Sequence, residues 1–175
     1  MKKIIIIMFI VIIFAISFLW SLDYISHDGE FTKWNHSTAG QEQFKDGSPI
    51  YLGYNFTWEG FGNPILEKVE FIKRDGTIVA KDDDEFHIEP YIASTERIGV
   101  LDEDTVMKEG LNNDFVNVKD FRINKNFYLV LRVKYVGNDL NNVVNDIESL
   151  RFTYKKYGVT QFQNIAFNDG IITGE

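Results

Sequence analysis

The residues best suited to chemistry are the carboxylates of one short acidic run, Asp82-Asp83-Asp84-Glu85, which follows Lys81. Hard cations take six to eight oxygen ligands, and three Asp and one Glu on a single loop would supply several of them. A cation-sensing loop is the chemistry this run suggests, with Asp82, Asp83, Asp84 and Glu85 as its ligands. The run lacks the alternating ligands, central Gly and distal Glu of a helix–loop–helix calcium site. A solvated turn between two strands accounts for the same four residues. Asp102-Glu103-Asp104 is a weaker cluster whose charge equally suits the start of a short helix.

Other reactive side chains are sparse. The three histidines are His27, His36 and His87. A zinc site needs a close pair and a third ligand, whereas His27 and His36 stand nine apart in a polar segment. His87 alternates outward between Phe86 and Ile88, as a surface strand position would. The chain has no Cys, which excludes disulfides, thiolate metal sites, a cysteine nucleophile and a cysteine-linked lipid. It has no Gly-x-Ser-x-Gly elbow, no phosphate loop and no dinucleotide fingerprint, so no cofactor is implied. Two carboxylates can still converge from distant strands, which keeps a carbohydrate-acting envelope hydrolase as the alternative reading.

Aromatic residues are the remaining candidates, with 15 Phe, 8 Tyr and 3 Trp in 175 residues. Most should be core in a domain of this size. Tyr51 lies off the inward face of its strand, and Phe61 sits in a Gly-flanked turn. These two are the expected members of an exposed partner-binding surface, since exposed aromatics mark interaction sites.

Charge narrows the partners. The net charge is −8, and setting aside Lys2 and Lys3 leaves 16 basic against 26 acidic residues, or −10. Such a domain repels phosphates, so nucleic-acid binding is excluded as a function class.

These residues must be positioned by elements that the hydropathy pattern reveals. After Met1-Lys2-Lys3, an unbroken apolar run covers Ile4 to Ile16, and Ile4 to Leu22 makes 19 residues. As a helix that just spans a hydrocarbon core of roughly 30 Å. Lysines before it and Asp23, Asp28 and Glu30 after it predict a cytoplasmic N-terminus and a domain outside the cell membrane. Trp20 and Tyr24 stand where interfacial aromatics belong. A cleaved signal peptide is the competing reading, with Ala15-Ile16-Ser17 as its cleavage candidate and a secreted domain as its result.

The expected organisation is a transmembrane signal anchor over 1–22, a juxtamembrane stalk and irregular start over 23–48, and a β-sandwich over 49–175. Asp46-Gly47-Ser48-Pro49 is the turn that closes the stalk. Ile50, Leu52, Tyr54, Phe56 and Trp58 then alternate with other residues, giving one apolar face. Strands are also predicted over 65–73, with 78–80 returning through an Asp75-Gly76 hairpin. Phe86 to Ile92 alternates, and Pro90 marks that strand as an edge. A short strand over 97–101, a short helix over 103–111 and a strand over 115–123 follow. Phe127 to Tyr135, Leu150 to Tyr154 and Val159 to Phe167 alternate again, with an Asn-rich loop over 137–146.

Eight or nine strands without long helices between them predict an all-β fold, an antiparallel Ig-like sandwich with one N-terminal transmembrane helix. The runs Asn55-Phe56-Thr57-Trp58, Leu66-Glu67-Lys68-Val69-Glu70-Phe71 and Asp75-Gly76, with Tyr128-Leu129-Val130-Leu131-Arg132-Val133 and Leu150-Arg151-Phe152-Thr153-Tyr154, carry a resemblance. In layout the chain resembles small membrane-anchored extracytoplasmic proteins of Gram-positive bacteria that bear one Ig-like sandwich, mostly without assigned function. That resemblance implies a binding or accessory role and supplies no functional residue. The expected function is a membrane-tethered module that recognises another protein at the cell envelope.

Overall fold

In the computed structural model, the structure describes residues 2–35, 37–81, 83–94, 99–137, 147–167 and 170–173. The N-terminal run forms α1 (Lys2–His27), a helix with no polar face. None of its apolar stretch is covered by the rest of the protein, and its mean hydropathy there is 3.0. By length and composition it can cross a membrane.

The rest is β-structure, because period-two alternation lets each strand turn one apolar face inward. Among the described residues, one sheet runs in the order β1 (Glu30–Lys33), β3 (Ile50–Glu59), β9 (Asn126–Tyr135), β5 (Phe86–Ala93) and β7 (Phe115–Asn117). A short β6 (Val100–Asp102) also pairs with β3. The second sheet runs β11 (Val159–Ala166), β10 (Ile147–Lys156), β4 (Ile65–Lys73) and β8 (Phe121–Arg122). All pairings in both sheets are antiparallel. A small parallel pair, β2 (Ala39–Gly40) with β12 (Ile172–Thr173), lies apart from them.

The two sheets share one core. Leu52, Tyr54, Phe56 and Trp58 of β3 and Phe127, Leu129, Leu131 and Val133 of β9 meet Leu66, Val69 and Phe71 of β4 and Leu150, Phe152 and Tyr154 of β10. The Phe152 ring lies 4.9 Å from Phe56, 5.1 Å from Phe31 and 5.9 Å from Phe127, mostly edge-to-face or tilted. This is the expected all-β sandwich.

The first sheet is also covered outside. A short helix, α2 (Glu103–Lys108), and the turn Leu111–Asp114 bury a second apolar cluster of Tyr51, Ala93, Val106, Leu111, Tyr128 and Val130. Asp102 caps α2 by accepting the Thr105 N–H at 2.6 Å, and Glu103 and Asp104 add negative charge to its first turn.

Several local expectations change. The segment 23–48 is not a stalk standing off the domain: Phe31, Ala39 and Phe44 are buried, and β1 is the edge strand of the first sheet. The returning strand at 78–80 shrinks to one bridge, Ile72 to Ile78, because the chain leaves β4 there to reach β5 in the other sheet. The strand expected over 115–123 is two strands. β7 pairs with β5 in one sheet and β8 with β4 in the other, with Asp120 at φ +64 between them. Pro90 lies in the half of β5 that β7 does not reach, so it sits on an open edge on that side while pairing with Leu131 of β9 on the other. Residues 95–98 and 138–146, which take in the start of the expected strand at 97–101 and all but the first residue of the Asn-rich loop, fall outside the described residues.

Candidate functional site

Beyond Lys33 the chain stays stitched to β3 by one further backbone bond and then by side chains. The Trp34 N–H donates to the Asn55 carbonyl at 3.0 Å, and the Asn55 N–H donates to the Asn35 side-chain oxygen at 2.6 Å. The Ser37 hydroxyl donates to the Gly53 carbonyl at 2.6 Å, and the Tyr54 hydroxyl donates to the Ser37 carbonyl. Asn and Ser suit this work, since their short side chains imitate backbone groups. The stitching holds Trp34 outward, with 66% of its surface exposed.

Trp34 walls a concave site of about 490 Å³ on the outer face of β1, β3 and β9. Its other lining includes Asn55, Thr57, Glu59, Lys125 and Asn126. The Thr57 hydroxyl donates to the Asn126 side-chain oxygen at 3.1 Å, fixing two of these groups. Glu59 lines the site, and Glu30 stands opposite it across the β1–β3 ladder, outside the lining. The arrangement offers one broad apolar plane beside amide, hydroxyl, carboxylate and ammonium groups. It can grip a surface group through stacking and hydrogen bonds.

The expected exposure of Tyr51 is corrected: it is 3% exposed. Its side chain does point away from the main core, but α2 and the turn after it fold over that face. The ring lies 5.7 Å from Phe115. Beside it Arg132 donates to Glu103 through Nε at 3.1 Å and Nη2 at 2.8 Å, and through Nη1 to Glu89 at 3.3 Å. Burial pushes the Tyr51 hydroxyl above its usual pKa, partly offset by Arg132. Burial works against the Arg132 charge, yet the Glu103 carboxylate holds it above the usual range.

Phe61 is 70% exposed, as expected, in the turn between β3 and β4, beside the end of α1. Its N–H donates to the Asp28 carboxylate at 3.1 Å.

The acidic run is used locally. Asp83 pairs with Lys73 at 2.9 Å in a mostly covered position and accepts the N–H groups of Glu85 and Phe86, each at 3.1 Å. It therefore seats the start of β5, with an ammonium where a cation ligand set would need room. Burial opposes its charge, but the Lys73 hydrogen bond and those two N–H groups outweigh it and hold the carboxyl below its ordinary range. Asp84 is exposed, Glu85 is half-buried, and Asp82 lies outside the described residues. Among the described residues no three His, Asp or Glu side chains gather as a metal site would require. His27 bonds within its own helix turn, His87 is exposed, and His36 falls outside the described residues.

Trp34 is the residue that sequence reasoning missed. It lies in the irregular segment 23–48, where flanking Lys33 and Asn35 are the available signal: an aromatic between polar residues, off any apolar stripe. No family model, no curated protein and no solved structure matches this chain.

Proposed function

We propose that the protein is a membrane-tethered, extracytoplasmic binding module that recognises a protein partner at the cell envelope through the face around Trp34. The observation that carries this reading is the exposed Trp34 beside a concave, mixed polar site, held there by Asn35 and Ser37. Tryptophans of this kind, desolvated on binding and ringed by polar groups, supply most of the energy of a protein interface. Tethering rests on α1, with Lys2 and Lys3 on its cytoplasmic side and Asp23, Asp28 and Glu30 outside.

An Ig-like architecture belongs to the same proposal. The order β1-β3-β9-β5 against β11-β10-β4 supports it, since it follows the four-against-three arrangement of the immunoglobulin constant-type sandwich. The segment from β6 to β8 is then an insertion between β5 and β9. A hydrolase would draw on Glu30 and Glu59, but both are exposed, without the enclosed setting that tunes a catalytic acid.

The test is site-specific photocrosslinking in the protein's own cells from position 34 of the intact chain, with Met107 on α2 as the comparison position. One discrete crosslinked protein from position 34, absent from position 107, is the expected result. Trp34→Ala in the same chain should reduce co-purification of that protein at least tenfold without moving the melting temperature. Equal recovery by the wild type and W34A overturns the reading.

A further inference from the structure

The junction between α1 and the sandwich is built, not loose. The helix ends at His27, and Ser26 is fully buried. Gln161 of β11 donates to the Ser26 carbonyl at 2.7 Å, and Lys156 of β10 donates to the Asp28 carbonyl. Three residues further on, Phe31 exchanges bonds with the Gln163 side chain at 2.7 and 2.9 Å. Gly29 between them has φ +106, and a side chain there would collide with the Trp58 ring and with Gly60. The helix axis therefore fixes how the domain sits.

Two exposed aromatics lie at this junction. Phe61 is tied through its N–H to Asp28. Tyr157, 48% exposed, lies against Gly62, where a Cβ would meet its hydroxyl. Tyr157 also takes a left-handed backbone, φ +50, uncommon for a residue with a side chain. Their depth follows from the helix. At about 1.5 Å per residue, a hydrocarbon core of roughly 30 Å takes about 20 residues, from Ile4 to Asp23. The headgroup layer adds roughly 5–7 Å, which carries the helix to about His27 or Asp28. Phe61 and Tyr157 are thus placed at the outer headgroup level, about one helical turn above Tyr24. Aromatic rings favour that layer, where an apolar body meets a wet rim.

We propose that this end of the domain rests on the bilayer, with Phe61 and Tyr157 inserted among the lipid headgroups just above Tyr24. The proposal depends on α1 being a retained membrane anchor. It reassigns Phe61 from a protein partner to the lipid surface. The domain's net negative charge gives no attraction to anionic lipid, so the rings drive the contact and zwitterionic lipid suffices.

Because the chain has no Cys, one engineered Cys carries one nitroxide. Full-length protein is reconstituted into phosphatidylcholine vesicles, with labels at Phe61→Cys, Tyr157→Cys, Tyr24→Cys, Met107→Cys and Ile10→Cys. Relaxation by oxygen against a soluble nickel chelate then reports depth. The ratios at 61 and 157 should shift from the aqueous value at 107 to the interfacial value at 24. Equality with 107 overturns the proposal while a lipid-core value at position 10 leaves the anchor reading standing. An aqueous value at position 10 overturns both. Since a nitroxide replaces the ring, 4-fluorophenylalanine at position 61 gives a second reading. Its fluorine signal should broaden with lipid-borne nitroxide and not with a soluble gadolinium chelate; the reverse pattern overturns the insertion.

Discussion

Asp83 shows how a residue that looks like a ligand becomes a structural part. Sequence offers four adjacent acids and no view of Lys73, ten residues earlier on β4, which the fold brings within 2.9 Å. The same limit explains Tyr51: alternation correctly turned it away from the main core, but no local pattern says that α2 covers that face. The Lys73–Asp83 pair has a pH signature. Its folded carboxyl is held below its unfolded value of 3.8, so the stabilisation is complete above that value and is lost as pH falls through the folded one. Asp83→Asn keeps an oxygen for the Glu85 and Phe86 N–H groups but removes the charge. We expect a loss of about 1.5–3 kcal/mol at neutral pH, typical of hydrogen bonds to charged groups. Urea melts of the wild type and D83N should draw together as pH falls from 3.8 through the lower folded value. A constant gap between them from pH 7 to 2.5 would show that charge is not what Asp83 contributes.

At the scale of elements, the long strands were legible because ten-residue alternation has no competing explanation in a helix-poor chain. β3, β4, β9, β10 and β11 lie within a few residues of where the pattern puts them. What the pattern cannot carry is which sheet a strand joins. A segment that crosses between sheets keeps its alternation, so 115–123 reads as one strand while β7 and β8 belong to different sheets. The topology has its own logic. β3 passes to β4, and β9 to β10, across the sandwich; β3 neighbours β9 in one sheet and β4 neighbours β10 in the other. The two crossings lock each other, and Phe152 on β10 fills the space between them against Phe31, Phe56 and Phe127. Phe152→Ala should cost about 3–5 kcal/mol in urea unfolding, the range for deleting a buried ring. Phe162 on the outer face of the edge strand β11 is 65% exposed, so Phe162→Ala should change stability by no more than about 0.5 kcal/mol. Similar losses for both variants would mean that the ring cluster between the crossings is not what holds the sheets together.

Across the whole molecule, the division that matters runs between a helix that lends nothing to the core and a sandwich that begins earlier than its alternation does. α1 packs none of its apolar stretch on the domain, and its contribution is the junction at Ser26. The segment that follows has no period to read, because β1 is only four residues long and the chain to Phe44 is held by side-chain bonds and the two-residue pairing of β2 with β12. Yet it supplies Phe31, Ala39 and Phe44 to the interior, and β1 closes the exposed edge of β3. Removing it would uncover the Trp58 and Phe152 rings that Phe31 packs against and would leave the Phe56–Glu59 end of β3 with unpaired backbone groups facing water. A chain of residues 28–175 keeps every one of these parts, including the Asp28 carbonyl that takes the Lys156 bond. It should therefore be soluble, unfold in one cooperative transition and show sharp, dispersed amide signals. A chain of residues 49–175, cut where the alternation starts, should aggregate or give the collapsed spectrum of a protein without fixed packing. If the shorter chain instead unfolds cooperatively at the same urea midpoint as the longer one, the segment from β1 to Phe44 is an appendage and the core closes without it.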